Sequence, residues 1–203
     1  MAETSTARGE ARRREILDAA LPLFLERGVA AVRLEEIREA SGASTGSIYH
    51  LFGNKESIAA AVYVDSLAAY QGEFLAALWK DEGAEEGIRS VVRFHLDWCH
   101  SHPDRARFLF ALDDPDVLAA ARSGMEPINQ RFFSDLQSWW RVHAHHRALR
   151  RLTPAQSYAL WIGPAMELVR NWLTRGGDEP SDEDAEVLSA AAWRALGTDA
   201  DGA

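Results

Sequence analysis

Ile37-Arg-Glu-Ala-Ser-Gly42-Ala-Ser44-Thr-Gly46-Ser-Ile48-Tyr49-His-Leu-Phe52-Gly-Asn-Lys55-Glu56-Ser-Ile58 is the stretch whose reading decides the fold. Leu34 to Ala40 reads as a short helix with Leu34, Ile37 and Ala40 inward, because three-and-four spacing places these residues on one face. Ser41-Gly42-Ala43-Ser44 breaks that helix, and Thr45 to Leu51 resumes as another. Gly42 permits a tight backbone turn, and Ser44 can cap the following helix while its free N–H groups face outward, where a phosphate would be favoured. On those two turns Thr45, Ser47, Tyr49 and His50 supply polar and aromatic groups, while Ile48 and Phe52, four apart, anchor the opposite side. A helix so short, so polar on one face and so firmly wedged on the other suits insertion in a major groove.

Outward from this stretch, apolar residues recur at helical spacing almost everywhere, so the expected class is all-α, with about nine or ten helices. Upstream, Ile16, Ala19, Ala20, Leu23 and Phe24 share a face that stops at Gly28, a common residue after a helix end. Downstream, Asn54 caps a long helix carrying Tyr63, Leu67, Tyr70, Phe74 and Leu78 to about Lys80. A linker around Asp81 to Gly87 leads into a helix over roughly Ala84–Ser101, which His102-Pro103 ends. Helices are then expected at Asp104–Leu112, Pro115–Arg122 and Glu126–Ala144, with a basic loop over His145–Leu152. Thr153-Pro154-Ala155-Gln156 combines an N-cap, a first-turn proline and a capping-box glutamine, which predicts a helix from there to Arg175. Ser181 with Asp184 opens the last helix, ending at Leu196, and the tail beyond Gly197 is expected to fray.

The decisive stretch resembles the tetracycline-repressor (TetR) family, whose Gly-x-Ser-x-Gly-x-x-Tyr-x-x-Phe-x-x-Lys-Glu pattern is met by Gly42, Ser44, Gly46, Tyr49, Phe52, Lys55 and Glu56 after Ile37. The resemblance runs back through Arg14-Glu15-Ile16-Leu17-Asp18-Ala19-Ala20, Phe24 and Gly28, and covers roughly residues 12–64. It implies a three-helix helix-turn-helix head over residues 1–54 and a larger helical body over 55–203 for ligand binding and dimerisation. It further implies a homodimer that represses transcription from a palindromic operator in double-stranded DNA until a small molecule releases it. Carried over by position, Ser44, Thr45, Ser47, Tyr49 and His50 face DNA and Lys55 meets a phosphate. Arg33 departs from the family pattern, where a Ser or Thr often caps the second helix; an arginine can reach a phosphate itself. Leu51 stands where an aromatic or His is common.

The formal charge of -9 over 203 residues seems to oppose a nucleic-acid partner, yet residues 1–60 hold eight basic and nine acidic side chains. The acidic excess therefore belongs to the body, leaving the head near neutral for a few placed phosphate contacts. Met1 to Glu15 is polar and charged, and no apolar run reaches the about 20 residues of a membrane span, so a soluble cytoplasmic protein is expected. Cys99 is the single cysteine, which excludes an internal disulfide and any CxxC zinc finger. No cofactor is expected.

All seven tryptophans and six of the eight phenylalanines lie in the body. Large rings can line a pocket for an apolar or aromatic effector, although packing in a core or interface is the ordinary role of any one ring. Phe94, His95, Trp98, Cys99, Phe133 and Met166 are the candidate effector contacts. His95, Cys99 and His102 share a helix face and make a metal conceivable with His143, but that spacing is weak and no metal is assigned. For assembly, the well-capped helices after Thr153 and Ser181 are expected to pair with their copies through Leu168, Trp172, Leu188, Ala192 and Leu196. An enzyme is the competing class, but no nucleophile motif or phosphate loop supports it. A purely structural helical module would leave the polar recognition helix unexplained.

Overall fold

The computed structural model describes residues 2–80 and 82–198. The described residues form ten helices: α1 (Ala2–Arg27), α2 (Leu34–Ser41), α3 (Thr45–Leu51), α4 (Lys55–Leu78), α5 (Ala84–Ser101), α6 (Pro103–Phe110), α7 (Pro115–His145), α8 (Pro154–Trp161), α9 (Gly163–Arg175) and α10 (Asp182–Leu196). The all-α expectation is met, and the only extended pairing among these residues is a single antiparallel bridge, Leu149 to Gly197. The expected frayed tail lies outside the described residues beyond Thr198, as does Asp81 of the expected linker.

Compactness separates the chain into two units. The first contains the chain through Leu67 together with Leu112–Pro127, and the second contains Ala68–Ala111 and everything from Ile128 onward. In the first, Ile16, Leu17, Ala20, Leu21 and Phe24 of α1 are buried together with Val32, Ile37, Ile48, Ile58 and Val62. Full burial of side chains this size is worth about 1.5–3 kcal/mol each, which holds the short α2 and α3 in helices that would not persist alone. Ala40, expected inward, is exposed, and Ile37 is the residue that α2 buries.

In the second unit α5 supplies Ile88, Val91, Val92, His95, Leu96 and Cys99 to the interior, and α10 packs against α5 and α8. Trp161 donates its indole N–H to the Ile88 carbonyl at 3.0 Å, satisfying a buried polar group as an apolar interior requires.

Local punctuation mispredicts three segments. α1 extends far upstream of Ile16. Pro115–Arg122 and Glu126–Ala144 are one helix, α7, with Pro127 inside it. Gly124 there has a structural use, since a Cβ would stand 2.9 Å from Val64 Cγ2, so the glycine admits close contact with α4. Conversely, the expected single helix from Thr153 to Arg175 is interrupted at Ile162, which ends α8 and caps α9. Pro164 lacks the N–H that an unbroken helix would give the Leu160 carbonyl.

Candidate nucleic-acid interface

The turn joining α2 to α3 is built from glycine and serine chemistry. Gly42 takes the left-handed conformation, φ 62°, at the end of α2, which a residue with a Cβ adopts only at a cost. Ala43 donates its N–H to Ser41 Oγ at 3.3 Å and is buried. Ser44 caps α3, its Oγ accepting the Ser47 N–H at 3.1 Å, and the two hydroxyls meet at 2.8 Å. Within α3, Ile48 is 1% exposed while Tyr49 is 58% exposed. Thr45 and His50 are exposed as well. The helix is thus fixed by one apolar side chain and offers a hydroxyl, a phenol and an imidazole outward.

At the far end Gly53 is left-handed, φ 81°, and Asn54 Oδ1 accepts the Ser57 N–H at 2.7 Å to start α4. Arg13 of α1 was missed by sequence reasoning. Its guanidinium binds both carboxylate oxygens of Asp65, at 2.7 and 3.0 Å, and lies 5.9 Å from the centre of the Phe52 ring. Only the Arg12-Arg13-Arg14 run hinted at it, without saying which arginine turns inward.

Arg33 is the N-cap residue of α2 but makes no capping bond through its side chain, which has no acceptor. Glu36 reaches back to the Arg33 backbone N–H at 2.8 Å, leaving the Arg33 side chain 76% exposed. The Arg27 guanidinium, followed by that N–H, draws the Glu36 carboxyl down to about 2. Lys55 is placed differently from a purely outward-facing base: its ammonium donates to the Ala30 carbonyl at 2.6 Å and the Val32 carbonyl at 2.9 Å. Two of its three donors therefore hold the α1–α2 loop against the start of α4.

The effector candidates divide. His95 is fully buried, and its Nδ1 lies 2.9 Å from the Tyr70 hydroxyl. Burial pushes its imidazole down to about 3, pushes the Cys99 thiol up and keeps Tyr70 protonated. Trp98 is buried and gives its indole N–H to Glu73 at 3.3 Å, while Phe94 is half-buried against Tyr70, 5.5 Å between ring centres. Phe133 is a correction: it is 55% exposed, and its neighbour Phe132 is the ring that meets Phe74, at 5.2 Å. The inward face of α7 runs through Phe132 and the buried Trp139, and Phe133 lies one position off it. Met166 lies beside the exposed Tyr158, whose hydroxyl is 2.7 Å from its sulfur. His102 is exposed and directs Nδ1 at the Trp98 carbonyl, 3.2 Å away. Among the described residues no group of three His, Cys, Asp or Glu side chains is placed to hold a metal.

The assembly candidates divide too. Leu168 and Leu188 line an open cleft of about 540 Å³ with Pro164, Glu167, Asn171 and Val187, and Trp172 is half-buried. Ala192 and Leu196 are the correction, because they are 2% and 0% exposed within one chain. They face the interior against which α10 packs and leave a partner nothing to touch.

Comparison with known proteins follows this geometry. A family model described as bacterial regulatory proteins, tetR family, matches residues 16–62. The chain is 33% identical to the HTH-type transcriptional regulator TtgW of Pseudomonas putida over 50% of its own length and 72% of that protein. It is 33% identical to the transcriptional repressor KstR2 of Rhodococcus jostii over 44% of its length. The chain spans just under half of the first curated relatives it matches, 46% in each case. The fold is shared with the transcriptional regulator FadR of Bacillus subtilis, solved with stearoyl-CoA, at a TM-score of 0.69 and 17% identity over 89% of this chain and 95% of that one. These named relatives are regulators of transcription, and among the described residues no helix is long and apolar enough to cross a membrane. With the head motif, its match and the shared fold in agreement, the chain belongs to the TetR family of bacterial transcription regulators.

Proposed function

We propose that this protein is a homodimeric, cytoplasmic repressor that holds a palindromic operator through α3 of each copy and lets go when a small apolar or aromatic molecule binds its body. In this reading residues 1–54 read DNA, and residues 55–203 sense the effector and dimerise. The observation that carries the DNA half is α3 itself. Its buried Ile48 fixes the helix while Thr45, Tyr49 and His50 stand in solvent, the division of labour that a recognition helix needs in a major groove. Ser44 and Ser47 lie at its N-terminal end, where hydroxyls and backbone N–H groups suit phosphate. The Arg33 side chain, 76% exposed and 3.7 Å from Glu36 through its Nε, has further donors for the neighbouring phosphate, and Lys55 has a third donor for another.

Support for the sensing half comes from the aromatic interior around Tyr70 and from FadR of Bacillus subtilis, which shares the fold and was solved with stearoyl-CoA. A repressor of this kind needs no catalytic group and no cofactor. The test is selection of bound duplexes from a random pool, followed by titration of the selected duplex at several salt concentrations. A palindromic consensus, bound by two chains with affinity falling steeply as salt rises, is the expected result. Recovery of no consensus overturns the proposal.

A further inference from the structure

Among the described residues one buried side-chain polar atom has no hydrogen-bond partner, His95 Nε2. The atom sits in an unusual setting. Tyr70 lies 5.2 Å from Trp98, 5.2 Å from Phe110 and 5.8 Å from His95 between ring centres, and His95 lies 5.4 Å from Phe110. Phe94, Phe110 and Phe132, at the edge of the ring cluster, are only half-buried.

The tautomer follows from counting donors. Tyr70 is fully buried and its hydroxyl must place a proton somewhere; the His95 Nδ1 at 2.9 Å is the partner the structure supplies. If instead Nδ1–H donated to the phenol oxygen, the hydroxyl proton and Nε2 would both go unmet. With the hydroxyl donating, Nε2 carries the ring's hydrogen and a single donor is left over. A buried unmet donor costs free energy that an acceptor on a ligand recovers. An anionic acceptor is disfavoured, because an apolar interior penalises an isolated charge.

We infer that His95 Nε2–H is the polar anchor of the effector site, and that the effector is an uncharged, largely apolar or aromatic molecule bearing an accepting oxygen such as a ketone. The inference rests on the sensor reading above and adds the chemical class. Acetophenone and ethylbenzene, which differ by a carbonyl oxygen in place of two hydrogens, form the probe pair, titrated by NMR while the Trp98 indole N–H is followed. Acetophenone is expected to bind at least tenfold more tightly, and His95→Phe to reduce that preference to about one. Long-range proton–nitrogen spectra of the unaltered protein supply a readout that does not depend on the variant folding. They should show the Nε2-protonated tautomer, with Nε2 shifting on addition of the ketone and not of ethylbenzene.

Equal affinities, no binding of acetophenone at its solubility limit, or the Nδ1-protonated tautomer would each overturn the inference; an ordered water satisfying Nε2 would give the first of these. Operator release, measured on the same samples, separates the two readings. Ketone bound through His95 without release leaves this site standing and removes the sensor. Release by compounds to which His95→Phe is indifferent keeps the sensor and removes this site.

Discussion

Tyr49 and Lys55 stand six residues apart in the same motif and do different work. Tyr49 is 58% exposed, so Tyr49→Ala should leave the melting temperature within a degree or two while weakening operator binding at least tenfold in an anisotropy titration. Lys55 holds two carbonyls, and hydrogen bonds from a charged group contribute about 1.5–3 kcal/mol. Lys55→Ala should therefore lower thermal stability by several degrees even without DNA, an effect no phosphate contact would produce. Glu36 provides a pH test. Its carboxyl is lowered from 4.5 to about 2 in the folded chain, so the unfolded state takes up the proton first. Its contribution is complete above about 4.5 and lost as pH falls toward 2. Glu36→Gln should be less stable than the parent at neutral pH, the gap closing across that interval in denaturant titrations. The exposed face of α3 was legible because Ile48 and Phe52 mark its other side. The inward turn of Lys55 was not, since its partners are carbonyls of a loop 23 and 25 residues earlier and carry no side-chain signal.

Among the helices, those with explicit ends were readable: α3 from Ser44, α8 from Thr153 and Gln156, α10 from Ser181 and Asp184. Two of the errors lie at glycine and proline, taken as a break around 124–127 and read through at 163–164. Gly124 and Pro127 lie inside α7, where a Cβ on Gly124 would crowd Val64, whereas Gly163-Pro164 follows directly on the end of a helix. Nothing local distinguishes the two cases; the difference is which neighbour the glycine admits. Gly87 is a third such position, where a Cβ would stand 2.6 Å from Trp139 Cζ2 and 3.2 Å from the Leu78 carbonyl oxygen. Overpacking of this sort costs about 1–3 kcal/mol. Gly87→Ala should lower the melting temperature by several degrees, and an unchanged melting curve would mean that the Trp139 ring moves aside freely.

For the molecule as a whole, the assembly reading now has a sharper form. Leu168 and Leu188 line the open cleft on α9 and α10, whereas Ala192 and Leu196 are already spent inside the chain. On the proposed homodimer, Leu168→Glu with Leu188→Glu should give a folded monomer by light scattering and abolish tight operator binding, since two half-sites need two heads. Leu196→Ala should instead unfold the chain more easily without changing its mass, with a cost of about 2–5 kcal/mol for a buried leucine.

The antiparallel bridge between Leu149 and Gly197 has a further consequence. Arg150 N–H gives to the Leu196 carbonyl at 2.8 Å, Thr198 N–H to the Ala148 carbonyl at 3.1 Å, and Arg150 Nε to the Gly197 carbonyl at 2.8 Å. These bonds close the chain from residue 148 to 198 into a ring that contains α8, α9 and α10. Once the ring has closed, everything within it pays a smaller entropic cost to order. The amide hydrogens of Arg150 and Thr198, both on exposed residues outside any helix, should exchange with deuterium slowly and at matching rates. They report a single opening event in which three helices are released together.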